Sequence, residues 1–294
     1  MAEPVAIVGG GAIGQLMAGL LAQQGIDSVI IGRPGSHSEV RAHQLTTLEG
    51  ERFHHKVRHL TPDALPPCQA LLVTTKAYQA QDAVTPLLPG LAAHTPIVLL
   101  HNGLGPQQRL ARDFPEHNWW AGTLTDGALR QGQGAVKHTG LGQRFAGSLR
   151  RRGPLPEALA AIGFELDDNI ELRLWHKLAV NALINPLTAL HRCPNGELTQ
   201  TRYLPTLTRL SDELARVAAS QGVPMEAQEI LALGLKVAEA TAQNRSSMLS
   251  DVEAGRLTEI EAISGFVVAL ADDAGIEVPT HRDNLDRVRT LQPS

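Results

Sequence analysis

Within Leu172–Pro186 the chain reads LRLWHKLAVNALINP, and Lys177, Asn181 and Asn185 recur every fourth residue among mostly apolar neighbours. On a helix a four-residue step drifts by only about 40°, so the three side chains line one face. One reading is a solvated stripe. Such stripes usually carry Glu, Lys and Arg, because asparagine is a poorer helix former. Two asparagines and one lysine fit a polar strip lining a cleft better. A lysine withdrawn from water there has its pKa lowered by desolvation, toward general-acid strength near neutral pH. A second polar cluster, Asn244-Arg245-Ser246-Ser247-Met248, precedes Asp251 and a stretch, Leu257–Ala274, that reads as a helix carrying Glu259. Serine hydroxyls at a helix terminus suit a carboxylate, and a glutamate can orient a hydroxyl. A serine that merely caps its helix and a surface acid are the competing reading, and the residues alone leave the two evenly matched.

The other chemistry-bearing pattern opens the chain. Gly9-Gly10-Gly11-Ala12-Ile13-Gly14 follows the apolar run Val5–Val8 and leads into a helical stretch, Ala12–Gln24. In a strand–turn–helix context, GxGxxG permits a tight turn, close approach of a pyrophosphate to the backbone, and close helix–strand packing. The context is met here, and the expectation is a dinucleotide. NAD binders usually place an acid at the end of the second strand. This chain reads Val29-Ile30-Ile31-Gly32-Arg33, with no acid until Glu39. Arg33 can pair a 2′-phosphate, which favours NADP(H) over a merely solvated arginine. Lys76 and Asn102 each follow an apolar run and so fall at the carboxyl edge of the sheet, where ligands of doubly wound folds bind.

These residues need elements to position them. Val5–Val8, Val29–Ile31, Ala70–Thr74, Ile97–Leu100 and Trp119–Thr123 read as strands, alternating with helical stretches as in a parallel sheet covered by helices. Leu45–Leu60 reads as a strand pair around Glu49-Gly50, and Pro106 as the first residue of a helix. From Asp168 the character becomes helical: Ile170–Ile184, Leu204–Gln221, Ala227–Ala242 and Leu257–Ala274, with Pro186 ending or kinking the first of them. The expectation is an α/β protein with a Rossmann-type dinucleotide-binding domain over residues 1–167 and an all-helical domain over residues 168–294.

Composition narrows the function classes. Of 294 residues, 43% are apolar and 19% charged, which excludes a disordered chain. Lys and Arg number 26 against 30 Asp and Glu, so there is no chain-wide basic footprint for nucleic acid. No apolar run approaches the roughly 18 residues of a membrane span, and the amino terminus lacks a signal-peptide pattern. Two cysteines, Cys68 and Cys193, form no CxxC, in keeping with a reducing cytoplasm. His54, His55 and His59 have no carboxylate or cysteine at ligand spacing, so no metal is expected.

The segments IVGGGAIGQL, LLVTTKAYQ, LLHNGLG, LWHKLAVNALINPLTAL, CPNGEL, NRSSMLSD and TEIEAISGF together resemble the ketopantoate reductase (2-dehydropantoate 2-reductase) family over nearly the whole chain. K-x-x-x-N-x-x-x-N-P-L-T is the most specific of these motifs. The resemblance implies an architecture like that of 6-phosphogluconate dehydrogenase and NADPH-dependent reduction of 2-dehydropantoate to (R)-pantoate in pantothenate biosynthesis. It implies that Gly9 through Gly14 bind the pyrophosphate, that Arg33 reads the 2′-phosphate, and that Lys76, Asn102 and Ala128 belong to the cofactor site. It makes Lys177 the proton donor to the ketone and gives Asn181, Asn185, Asn195 and Ser247 the substrate. Glu259 then lies near the substrate hydroxyl and the cofactor. Thr125-Asp126-Gly127-Ala128 departs from the family's usual THGA and leaves position 126 without a role. A reductase of another 2-oxo acid and a non-catalytic NADP-sensing module are the alternatives; the latter has no need of Lys177 or the asparagines. Expected partners are a small-molecule substrate and, at most, a second copy in a homodimer.

Overall fold

A computed structural model describes residues 2–150 and 153–293. The chain divides into two compact units. One runs to His101 and resumes over Pro106–Glu171; the other comprises Asn102–Gly105 and the chain from Leu172 onward. The first unit begins β1 (Val5–Val8), α1 (Ala12–Gln23), β2 (Ser28–Ile31), β3 (Glu39–Thr46), β4 (Arg52–Leu60), β5 (Ala70–Val73) and α2 (Ala80–Val84). It continues β6 (Pro96–Leu99), α3 (Pro106–Asp113), β7 (Asn118–Leu124), β8 (Gly127–Gly132), β9 (Ala135–Gly140), β10 (Arg144–Ser148), α4 (Glu157–Ala161) and β11 (Phe164–Leu166).

The strands form one sheet in the order β11-β10-β7-β6-β5-β1-β2-β4-β3-β9-β8. From β7 through β4 every neighbouring pair is parallel. Covered on both faces, β1 (VAIV) and β5 (ALLV) are wholly apolar, and alternate residues feed two separate cores. Val5 and Ile7 pack with Leu16, Met17 and Leu21 of α1. Ala6 and Val8 face the other way, with Ala80 and Val84 of α2 and Leu110 of α3. Mid-helix, α1 is pressed against β3, since a Cβ on Gly19 would lie 3.0 Å from the Cβ of Leu45.

The strand pair around Glu49-Gly50 is antiparallel β3–β4, and it begins at Glu39, before the expected start. The early part of β3 is exposed or half-buried, so it lacks the apolar run that marks a strand in sequence. Strands β8 to β11 also escaped the sequence reading, because most of their residues outside Val136, His138, Arg144, Ala146, Gly147 and Phe164 are at least partly exposed.

Asp126 lies in the β7–β8 connection with its side chain fully buried. It accepts from Arg144 Nε at 2.8 Å and Nη2 at 2.5 Å, and its Oδ1 is 2.8 Å from His138 Nε2. Arg144 Nη1 donates to the Ile162 carbonyl. Position 126 is therefore a strut joining β9, β10 and the end of α4. Burial raises the pKa of the Asp126 carboxyl, but the hydrogen bonds and charge of Arg144, with His138 and the Gly142 N–H, outweigh it and hold the pKa below its ordinary value.

The second unit holds α5 (Ile170–His191), α6 (Leu204–Ser220), α7 (Ala227–Ala240), α8 (Ser247–Glu253), α9 (Ser264–Ala274) and α10 (Pro279–Thr290). Two expectations are corrected here. First, α5 does not stop at Pro186 but runs through it to His191. Leu183, Ile184, Leu187 and Ala189 are all at most 3% exposed, so burial on both sides of the proline outweighs the single helix bond it removes. Second, Leu257–Ala274 is not one helix. Ile260–Ala262 is a 3-10 turn, and α9 starts only at Ser264. The Ala262 carbonyl accepts from Leu104 N–H at 2.9 Å, a bond outside the helix ladder. Glu259 thus sits on a turn, not on a helix.

Replacing Asp126 with Asn removes the charge paired with buried Arg144 and should cost about 3–5 kcal/mol in urea unfolding. Because the folded carboxyl titrates below its unfolded value, its stabilisation is complete above the ordinary carboxylate range. It is lost as pH falls through the lowered value. The wild-type and D126N stability profiles should therefore converge in acid.

Candidate active site

In the first unit, Val8 of β1 is in register with Ile31 of β2 and Val73 of β5. The segments that follow, Gly9–Gly14, Gly32-Arg33 and Thr74–Lys76, therefore leave the sheet at one edge. Gly9 has φ +107°, and a Cβ there would lie 2.9 Å from Thr75 N. A Cβ on Gly14 would come within 1.9 Å of the Gly9 carbonyl oxygen. By contrast, a Cβ on Gly11 meets nothing within 4 Å, and Gly11 at the N-cap of α1 makes no side-chain cap. Backbone N–H groups at a helix N-terminus with open space beside them fit an anionic group such as a pyrophosphate.

Two polar residues that the sequence did not single out hold this turn. Thr74 Oγ1 lies 2.8 Å from the Gly9 carbonyl and 3.1 Å from that of Val8, and Gln15 Nε2 donates to the Gly10 carbonyl at 3.0 Å. The one available signal was Thr74 as the first polar residue after a buried strand. Arg33 is exposed just beyond β2, and Lys76 is half-buried beyond β5. Ala128 lies elsewhere, on edge strand β8, packed against the α1-side core.

In the second unit, Lys177, Asn181 and Asn185 share one face of α5. That face is only partly open to water: Asn185 is 7% exposed, Lys177 and Asn181 are half-buried, and Asn181 Nδ2 is buried without a hydrogen-bond partner. Burial pushes the Lys177 ammonium from 10.5 down to about 8, with the negative charge of Glu259 opposing the shift. Glu259 is itself 5% exposed, and its Oε2 accepts from Asn102 Nδ2 at 3.1 Å. Asn102 is presented by a loop seated on the Glu259 turn. A Cβ on Gly103 would fall 2.3 Å from the Ala262 carbonyl oxygen, so backbone meets backbone there. Lys177, Glu259 and Asn102 are thus brought together.

Asn195 and Ser247 are held differently. Asn195 Nδ2 donates to Thr241 Oγ1 at 2.9 Å, tying its loop to the end of α7, while its Oδ1 is buried without a partner. Ser246 caps α8, its Oγ accepting from Leu249 N–H at 3.0 Å, which leaves Ser247 exposed at the first helical position.

His43 and His59 pair through Nε2 atoms 2.9 Å apart. Among the described residues no group of three or more His, Cys, Asp or Glu side chains is placed to hold a metal. Nor is any helix among them long and apolar enough to cross a membrane. Both cysteines are buried free thiols; burial raises the pKa of Cys193 and pushes Cys68 up to about 11.

Fold and site are those of a two-unit oxidoreductase built on a Rossmann-type sheet. Known families resolve the class further. A profile described as Ketopantoate reductase PanE/ApbA matches residues 5–151, and one described as Ketopantoate reductase PanE/ApbA C terminal matches residues 169–292. The chain belongs to the ketopantoate reductase family. It is 33% identical over 299 residues to a 2-dehydropantoate 2-reductase of Vibrio cholerae, covering 99% of this chain and 98% of that one. A crystal structure of a PanE/ApbA family ketopantoate reductase from Ralstonia eutropha superposes with TM-score 0.85 at 27% identity, covering 98% of each chain. A D-mandelate dehydrogenase in ternary complex with NADH and anilino(oxo)acetate shares the fold, with TM-score 0.87 at 22% identity over 98% of this chain.

Because Glu259 supports the charged form of Lys177, Glu259→Gln should lower the lysine pKa below its value of about 8. Titration of the isotopically labelled ammonium by NMR measures the shift directly, and an upward shift would contradict this electrostatic arrangement.

Proposed function

We propose that this protein reduces 2-dehydropantoate to (R)-pantoate with NADPH, the reductive step on the way to pantothenate, in the cytoplasm. The observation that carries the reading is the Lys177 ammonium: desolvated enough to titrate at about 8, yet kept charged by Glu259. When bound, the nicotinamide supplies hydride to the ketone carbon. In this reading the Gly9–Gly14 turn and the first N–H groups of α1 hold the pyrophosphate, and exposed Arg33 meets the 2′-phosphate. Lys76, Asn102 and Ala128 complete the cofactor site. Asn181, Asn185, Asn195 and Ser247 hold the keto acid through its carboxylate and hydroxyl. Lys177 donates its proton to the ketone oxygen as negative charge develops there, and Glu259 keeps that ammonium protonated while accepting from Asn102.

A group titrating at about 8 is mostly protonated at pH 7, which suits an acid that must also release its proton. The absence of an acid after β2, with Arg33 in its place, supports NADPH over NADH. The half-buried Lys177 and the asparagines on its helix face also argue against a mere nucleotide sensor.

Steady-state assays with 2-dehydropantoate, pyruvate and 2-oxoisovalerate, each with NADPH and NADH, test the reading. 2-Dehydropantoate with NADPH should give the highest kcat/KM, and preference for another 2-oxo acid would overturn the substrate assignment. Lys177→Ala should lower kcat by on the order of 10²–10⁴ while NADPH affinity is nearly kept. Reduction by the wild type should fall as pH rises through about 8, where Lys177 loses its proton. Arg33→Ala should weaken NADPH far more than NADH; equal losses would remove its 2′-phosphate role.

A further inference from the structure

Thr188 is fully buried in α5, one turn beyond Asn185, and its hydroxyl lies 2.9 Å from the Ile184 carbonyl and 3.0 Å from the Asn185 carbonyl. Taken alone this is ordinary back-bonding of a helical threonine. The same oxygen, however, is 2.7 Å from Ser246 Oγ, across 58 residues of chain. Ser246 is 6% exposed and is the residue that caps α8 by accepting from Leu249 N–H. A continuous path of short polar contacts therefore runs from the Asn185 carbonyl, through two hydroxyls, to the first turn of α8, next to Ser247.

We infer that Thr188 and Ser246 are positioning residues: a buried hydroxyl brace that holds Asn185 on α5 in fixed register with Ser247 on α8. The inference rests on the proposed function, in which those two residues hold the keto acid. The sequence gives a physical reason for a brace at this point. Pro186 has no N–H, so the Ala182 carbonyl lacks its helix donor, nearly two turns before Thr188. The helix is weakest in its own ladder where it carries Asn185, and contact with a second element supplies what the ladder does not. Neither hydroxyl touches substrate in this account. Each acts through the neighbour whose backbone it fixes, and a displacement of about an ångström at a binding group is enough to cost substantial rate or affinity.

Thr188→Val keeps the shape and removes the hydroxyl; Thr188→Ser keeps the hydroxyl and removes a methyl group. In the full chain, T188V should raise KM for 2-dehydropantoate about tenfold, leaving kcat and the KM for NADPH within about threefold, the signature of misplaced ground-state binding groups. T188S should restore most of the loss, and S246A combined with T188V should add little to either alone. A purely structural role would lower the unfolding midpoint in T188V without moving KM, and that result overturns the brace. So does an equal KM rise in T188S. If the wild-type chain does not reduce 2-dehydropantoate, it is the functional reading that fails, and hydrogen exchange at the Leu249 amide then decides the brace. Faster exchange in T188V than in the wild type and T188S sustains it; unchanged exchange removes it.

Discussion

The arrangement around α5 depends on keeping one ammonium charged while drawing it partly out of water. Desolvation disfavours the charged form of a lysine, and left unopposed it would lower the Lys177 pKa further. Glu259 opposes this, and the balance brings the group to about 8. Glu259 must therefore itself be buried and fixed. Its position on a turn, not a helix, follows from the backbone of Asn102–Gly105 closing on Ala262. A helix running from Leu257 would have kept the Ala262 carbonyl in its own ladder. The loop that presents Asn102 and the turn that presents Glu259 thus shape each other, and Gly103 is the residue that lets them meet.

Much of this was legible in the residues. The buried parallel strands announce themselves because a strand covered on both faces is rich in apolar residues, and the glycine turn because its sterics admit nothing larger at Gly9 or Gly14. The stripe at Lys177, Asn181 and Asn185 could be read from helical spacing alone. Burial on two sides could not: it carries α5 through Pro186, where local preference ends a helix. Strands β8, β9 and β11 carry little apolar signal because most of their residues are at least partly exposed, and β8 and β11 are the sheet's edges. Ser246 and Ser247 look alike in sequence; only the geometry of the first turn of α8 makes one a cap and leaves the other exposed. Thr74 was silent for a similar reason, since its hydroxyl's partners are backbone carbonyls that sequence does not distinguish; Thr188 ends the K-x-x-x-N-x-x-x-N-P-L-T motif, but its contact with Ser246 spans 58 residues of chain.

Position 126 shows how a departure from a family pattern can be absorbed. A carboxylate buried in an edge connection would be costly by itself. Arg144 meets it with two nitrogens and His138 with a third, while Arg144 also reaches the Ile162 carbonyl. The cluster is self-contained within the first unit and borrows nothing from the glycine turn or from Lys76.

The contact between Gly19 and Leu45 reaches further than its size implies. The helix that follows the glycine turn is approached closely, near its middle, by Leu45 of the β3–β4 hairpin. A helix behaves as a rod, so pressure at its middle becomes tilt at its tip. Repacking the hairpin interior would therefore be transmitted as leverage on the glycine turn.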